Sequence, residues 1–350
     1  VYLINQNLIM NFTIKGISIT ELEEFITQNG FPKYRAHQIY NWLYKQGVLD
    51  IQDMNNLSND LKSFLTDNTI VSTLTLFKQV TCDNTIKFLF KTKTEQYIES
   101  VSMIENDKHT VCLSSQVGCS VDCDFCATGK MGFVSNLNTG EIIDQLLFIQ
   151  NNVKQPITNI VFMGMGEPFL NYRNVINAAK MMNDSSGLNF GANRITISTA
   201  GIVPKINQFI DSKLKFNLAI SLNASDDETR NKLMPINKKW PISDLIQSAK
   251  KFNKHHRNNI TFEYVLIDSI NDSKDDALRL AKLLKNSDCK LNIIPFNYIG
   301  NEYKRPTEAR IENFLKYIHQ KHEGFRILVR WSKGVDINAG CGQLATKGIT

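Results

Sequence analysis

The sequence is short of several features that would assign its class at once. No stretch approaches the ~20 apolar residues that a bilayer-spanning helix needs, so an integral helical membrane protein is not expected. The opening VYLINQNLIM is apolar, but no basic residues precede it and no small-residue cleavage site follows, unlike a secretory signal. That opening also lacks a starting Met, which makes Met10 the expected natural start. There is no low-complexity segment and no repeat of fixed sequence. Seven cysteines, at 82, 112, 119, 123, 126, 289 and 341, form an odd set, so a disulfide framework is not expected. A cytoplasmic location, where thiols stay reduced, favours metal binding or catalysis by some of them. Charge is modest too, with 40 Lys and Arg against 34 Asp and Glu, a net of +6.

What is present describes an ordinary globular chain: 350 residues, 42% hydrophobic and 21% charged, enough for a large core in one or two domains. Residues 1–80 carry 6 Lys and Arg against 7 Asp and Glu, so the basic excess lies beyond them. Residues 301–334 hold 8 Lys and Arg against 4 Asp and Glu, which suits a phosphate-facing surface or merely a solvated face.

The first 80 residues read as helices. ITELEEFITQNG and FPKYRAHQIYNWLYKQG each end on a glycine, and LSNDLKSFLTDN has Ser58 at its expected N-cap. Antiparallel strands follow around KQVTCDNTIKFLFKTKTEQYIESVSMI, with TCDNT as a turn. From about residue 110, strands alternate with helices. HTVCLSSQ, ITNIVFMGM, RITIST, FNLAIS, ITFEYVLI and KLNIIPFN are the expected strands. Six such units predict an α/β fold, a parallel sheet curled by right-handed crossovers into a partial (β/α)6 barrel. The expected division is a small helical N-terminal accessory domain over 1–80, a β-hairpin extension over 81–108, and the barrel over 109–350. Chemistry in such folds sits at the C-terminal ends of the strands.

Directly after the first barrel strand stands SSQVGCSVDCDFCATGKMGF, with cysteines spaced C-x3-C-x2-C. Three thiolates on one short loop, Cys119, Cys123 and Cys126, can hold three irons of a cubane cluster and leave the fourth open. A ligand chelating through amine and carboxylate, as S-adenosylmethionine (SAM) does, would fill that position. From spacing alone a zinc site remains open, with Cys112 or His109 as the fourth ligand.

At this point the chain resembles the radical SAM superfamily and, within it, a family of dual-specificity RNA methyltransferases. The resemblance runs from RAHQIYNWLYKQG to CGQLA. It is carried by CLSSQVGCSVDCDFCATGKMGF, FMGMGEPFLNY, ITISTAGIVP, KLMPIN and VDINAGCGQLA. It implies that Cys119, Cys123 and Cys126 ligate one 4Fe–4S cluster. It further implies that Gly166 and Glu167 receive the SAM amino group and backbone, that Ser198, Ser221, Leu222 and Asn223 line the rest of that site, and that Asn297 contacts its far end. All of these fall at predicted strand ends. The family commonly has His where this chain has Asn223, and both side chains donate and accept hydrogen bonds.

The resemblance also implies a use for two more cysteines. Cys341 would carry a methyl group as S-methylcysteine. Cys112 would resolve the resulting protein–RNA adduct through a transient disulfide with Cys341, and Glu99 would accept a proton. Two SAM molecules would be used per turnover, and 2-methyladenosine would form in 23S rRNA and at adenosine 37 of tRNA. A cytoplasmic reductant such as flavodoxin would serve a monomeric enzyme with no membrane attachment. Gly340 and Gly342 suit a mobile loop around Cys341. Cys82 and Cys289 are expected to be buried and inert. RNA could dock on Lys33, Tyr34, Arg35 and His37, or on Lys238, Lys239 and Trp240, which join charge to a stacking ring. Two alternatives stay open: the related enzymes that methylate adenine C8, and a zinc-stabilised RNA-binding protein without catalysis.

Overall fold

A computed structural model describes residues 12–256, 259–321 and 324–346. Met10 and the segment before it lie outside the described residues. Three helices lead the chain: α1 (Ile19–Gln28), α2 (Tyr34–Tyr44) and α3 (Asn59–Asn68). A capping box opens α1, with the Glu21 N–H donating to Ser18 Oγ and the Ser18 N–H donating back to the Glu21 carboxylate. Ser58 takes the extended N-cap conformation ahead of α3 but makes no side-chain bond to it. Leu22, Ile26, Ile39, Leu43, Leu61 and Leu65 are buried in a core continuous with that of the rest of the chain.

A ten-stranded sheet follows. Its strands are β1 (Leu74–Cys82), β2 (Thr85–Thr92), β3 (Tyr97–Glu105), β4 (Lys108–Cys112), β5 (Asn159–Phe162), β6 (Ile195–Thr199), β7 (Asn217–Ser221), β8 (Thr261–Leu266), β9 (Lys290–Pro295) and β10 (Arg326–Val329). Neighbours in sequence are neighbours in space throughout. The first four strands pair antiparallel, and from β4 to β10 every pair is parallel. Asp83, at φ 48°, makes the tight turn between β1 and β2. The antiparallel strands thus start at Leu74 and are continuous with the barrel sheet. The parallel part holds seven strands, one more than the six units expected. β10, RILV, escaped the sequence reading because only four residues of it pair, at the sheet edge.

Crossover helices α4 (Thr139–Asn152), α5 (Tyr172–Asn183), α6 (Val203–Asp211), α7 (Ile242–His255), α8 (Lys274–Leu284) and α9 (Glu308–His319) link the parallel strands. Strand side chains alternate between faces, and the alternation decides the architecture. Ile160, Ile197, Leu218, Phe262, Leu291 and Ile293 are fully buried in the core that the helices share. The intervening residues, among them Cys112, Ser198, Ser221, Glu263 and Asn292, line the hollow of the partial barrel. A buried ion pair joins the N-terminal region to the barrel: Lys15 Nζ lies 2.6 Å from Asp144 of α4. Among the described residues no helix is long and apolar enough to cross a membrane.

Candidate active site

The three-cysteine loop leaves the end of β4 and is framed by a two-stranded ribbon, Gln116–Gly118 against Phe133–Asn136. The Cys119 N–H donates to Gly132 O at 2.9 Å, the Asp124 N–H to Leu233 O at 2.9 Å, and the Ala127 N–H to Gly342 O at 2.7 Å. These bonds fix the loop at its two ends and in its middle. All three cysteines are half-buried and face one cleft with about 960 Å³ of empty space. Burial pushes the Cys119 thiol up to about 12 and the Cys123 thiol well above its usual range, with neighbouring thiols and Glu167 adding to both. Soft sulfur donors spread over a cavity wall fit a multi-iron group.

The opposite wall comes from strand ends, as expected. Gly166, Glu167, Ser198, Ser221, Asn223 and Asn297 all line the cleft. Gly166 has φ 94°, and a Cβ there would lie 2.4 Å from that of Gln116, so only glycine fits. Glu167 is buried and its carboxylate accepts the Ala200 N–H at 2.6 Å and the Phe169 N–H at 2.9 Å. Burial still prevails and raises its carboxyl to about 7. Leu222 does not reach the cleft; its side chain is fully buried in the core. Its backbone serves instead, the Leu222 N–H donating to Glu263 O and the Leu222 carbonyl accepting from Arg230. Asn223 sits at φ 57°, a conformation Asn tolerates well. Its Oδ1 accepts the Val265 N–H at 2.8 Å, so the amide ties β7 to β8. Asn297 donates to Ser332 Oγ at 2.7 Å and to the Cys341 carbonyl at 3.0 Å.

Arg230, which the sequence reading passed over, organises this wall. It is fully buried on the short helix Asp227–Leu233. Its guanidinium donates to the carbonyls of Ala200, Ser221 and Leu222 and to Asn237 Oδ1, at 2.8–2.9 Å. The carbonyls it holds are those of the strand ends facing the cleft. Asn237 belongs to KLMPIN, which gives that motif its local purpose.

Cys341 lies on a turn pressed against the cluster loop. The Gly340 N–H donates to Gln343 Oε1, and Thr128 Oγ1 donates to Leu344 O. Gly342, at φ 82°, passes 3.2 Å from Phe125 O at the point where a Cβ would stand. Cys341 lines the three-cysteine cleft and also a second, larger chamber in the barrel hollow, where Cys112, Met163, Glu263 and Arg330 are found. Cys112 is buried at the end of β4, and its thiol is pushed up to about 12, first by burial and then by Cys341, with Arg330 opposing. Glu99 lines neither space. It is buried, paired with Lys87 at 2.9 Å, and accepts the Ala345 N–H at 2.9 Å. Burial raises its carboxyl pKa and Lys87 draws it back.

The remaining cysteines differ from one another. Cys289 is buried as expected, whereas Cys82 is half-buried, because it ends an exposed hairpin beside Asp83. Of the two basic patches, Lys33 and His37 are both engaged by Glu23, at 3.0 and 2.8 Å. Tyr34 is 54% exposed under the Arg35 guanidinium, and Lys239 stacks over Trp240. The basic segment 301–334 is not one surface. Arg310 is held by Asp268 and Asp272, Lys333 by Glu105, and Arg330 lines the chamber.

A partial barrel with a three-cysteine loop after its first strand defines a radical SAM protein, and residues 113–281 match the profile of the radical SAM superfamily. Residues 12–71 match the ribosomal RNA large subunit methyltransferase N-terminal domain. The chain is 43% identical over 336 residues to the dual-specificity RNA methyltransferase RlmN of Geobacter sulfurreducens, covering 95% of this chain and 92% of the relative. It is 40% identical to the probable RlmN of Staphylococcus saprophyticus, covering 96% and 93%. A crystal structure of a radical SAM methyltransferase from Sphaerobacter thermophilus superposes with a TM-score of 0.92 at 40% identity, over 95% of this chain and 99% of that one. The chain belongs to the RlmN family of dual-specificity RNA methyltransferases. It is accordingly a SAM-dependent RNA methyltransferase, and its superfamily implies SAM and a 4Fe–4S cluster.

Proposed function

We propose that the protein methylates adenine C2 in large-subunit ribosomal RNA and at adenosine 37 of tRNA, with Cys341 as methyl carrier and Cys112 as the resolving cysteine. The observation that carries this reading is the double exposure of Cys341, to the three-cysteine cleft on one side and to the Cys112 chamber on the other. Adenine C2 is an electron-poor ring carbon with no lone pair, so it cannot take a methyl from a sulfonium as a ring nitrogen can.

Cys119, Cys123 and Cys126 would hold the cluster, and Gly166, Glu167, Ser198, Ser221, Asn223, Asn297 and the Leu222 backbone would border SAM. Once bound, these groups supply a methyl group and one-electron chemistry, two SAM molecules being used per turnover. The Cys341 thiolate accepts the methyl. After giving one hydrogen atom to the 5′-deoxyadenosyl fragment that the second SAM would supply, that carbon adds to C2 and joins protein to RNA. One electron would return from the adduct to the oxidised cluster that the three cysteines hold, and the C2 proton passes to Glu99. Cys112 then attacks Cys341 Sγ and breaks the sulfur–carbon bond. The released carbon takes up a proton, giving 2-methyladenosine and a Cys112–Cys341 disulfide. Glu99 bonds Ala345 in the segment that carries Cys341, so displacement of that segment would free the carboxylate for this role.

The enzyme would act as a cytoplasmic monomer served by a reductant such as flavodoxin, with the N-terminal helices as an RNA-docking domain over 1–80. The barrel over 109–350 is then reached through the hairpin at 81–108. To test the central claim, anaerobically reconstituted protein is incubated with SAM, a reductant, and unmodified ribosomal and transfer RNA. Mass fragmentation of the product base should give 2-methyladenosine from both RNAs, and Cys112→Ala should accumulate a covalent protein–RNA adduct. An 8-methyl product would transfer the chain to the C8 chemistry, and clean turnover by Cys112→Ala would remove the resolving role.

A further inference from the structure

Arg330 has no part in the chemistry above, yet its position is specific. It follows β10 and extends that strand's register, its N–H donating to Ile293 O at 2.8 Å. Its side chain lines the chamber with Cys112, Met163, Glu263 and Cys341. Nη1 lies 3.6 Å from Met163 Sδ. Among the described residues no carboxylate makes an ion-pair contact with this guanidinium, in contrast to Arg310, which grips Asp272 at 2.6 Å. The groups whose negative charge would hold this guanidinium protonated are Cys341 first, then Glu263, Cys112 and Glu105. Reciprocally, Arg330 is the cation that opposes burial at Cys112.

A sulfur must be a thiolate both to accept a methyl group and to attack a thioether. In a low-dielectric chamber the neutral thiol is favoured, so a fixed positive charge beside the pair alters which form is present. Arginine suits the task because it does not deprotonate there, and its fork can face two sulfurs at once.

We infer that Arg330 is a positioning residue for the Cys112–Cys341 pair, its guanidinium holding negative charge on whichever sulfur acts next. The inference rests on the roles given to Cys341 and Cys112 above. The proton lost from each thiol leaves to solvent through the open chamber. The other charged groups facing Arg330 are Glu263 from β8 and Glu105 from β3. Lys108 from β4 and Lys333 stand at the chamber rim, Lys333 being occupied by Glu105 at 3.1 Å.

The test compares cluster-loaded wild type, Arg330→Gln and Arg330→Lys. Iodoacetamide alkylation of Cys341 and Cys112 is followed against pH by peptide mass spectrometry, with iron content and protection of buried Cys289 as controls on structure. Arg330→Gln should slow alkylation of both cysteines about tenfold at neutral pH, moving the profile up by about one pH unit. Iron content and Cys289 protection should stay unchanged, and Arg330→Lys should recover most of the loss. A wild-type profile in Arg330→Gln overturns the inference, as does an equal loss in Arg330→Lys. Failure of the methyl-carrier role would be seen separately, as methylation retained by Cys341→Ala, and would leave these profiles untouched.

Discussion

Cys119, Cys123 and Cys126 sit within one short loop, tethered by backbone bonds to Gly132, Leu233 and Gly342. Cys112 and Cys341 come from the first barrel strand and from the far end of the chain, and they meet only because the terminal turn folds back across the barrel mouth. The first set is local in sequence. The second is non-local, and Asn297, Gln343 and Thr128 all contribute to keeping Cys341 in place. The electrostatics differ in the same sense. In the local set Arg230 opposes burial at Cys123, and burial outweighs it. The non-local pair has a guanidinium already in its chamber.

The sharpest break between the two sets is loss of metal. Replacing Cys119, Cys123 or Cys126 by Ala should take iron from about four per chain to background, with all methylation lost, as measured by iron and sulfide analysis after anaerobic reconstitution. Retained iron in any of the three would sink the assignment. Next in size, Cys341→Ala should abolish methylation while iron content stays at the wild-type level; product formation by that variant would dissolve the distinction between the sets.

Burial gives a third contrast, within the pair and its surroundings. The folded Cys112 thiol, at about 12, lies above the usual thiol value near 8.5. Between those values the unfolded chain is ionised at Cys112 and the folded chain is not. The fold therefore loses stability through this group as pH rises across that window, and the loss is complete once pH passes the folded value. Alkylation of Cys112 at mildly alkaline pH should accordingly be about a thousandfold slower in the folded chain than after denaturation. Equal rates would show that the thiol is not sheltered. The smallest effect concerns Glu99. Glu99→Gln should lower product formation about a hundredfold, the scale of a lost proton acceptor, while S-methylation of Cys341 persists in peptide mass spectra. Unchanged turnover would confine Glu99 to its bonds with Lys87 and Ala345.

Legibility followed locality. The cysteine loop, GMGEP and the strand-end serines could be placed from sequence because each is a short motif on a strand whose alternation was visible. The Leu222 side chain turns into the core and away from the cleft, and the motif around it says nothing about which face a given side chain takes. Arg230 was missed because a buried arginine on a short helix carries no periodic signal, and its carbonyl partners come from two strand ends distant in sequence. Arg330 was visible only as part of a basic stretch. The four paired residues of β10 gave too weak a pattern to reveal the seventh strand and the inward turn that follows it.

By itself the sequence determined the alternating α/β order, the three thiols on one loop and the residue types at the strand ends. These depend on spacing along a chain whose local geometry is fixed by backbone periodicity. Only the tertiary structure decided that Cys341 joins the cleft to the Cys112 chamber, that Arg230 pins the wall facing the thiols, and that Arg330 points into the hollow. Each of those depends on segments distant in sequence being brought together by burial of the strands' apolar face, and no local pattern records where the opposite face will meet.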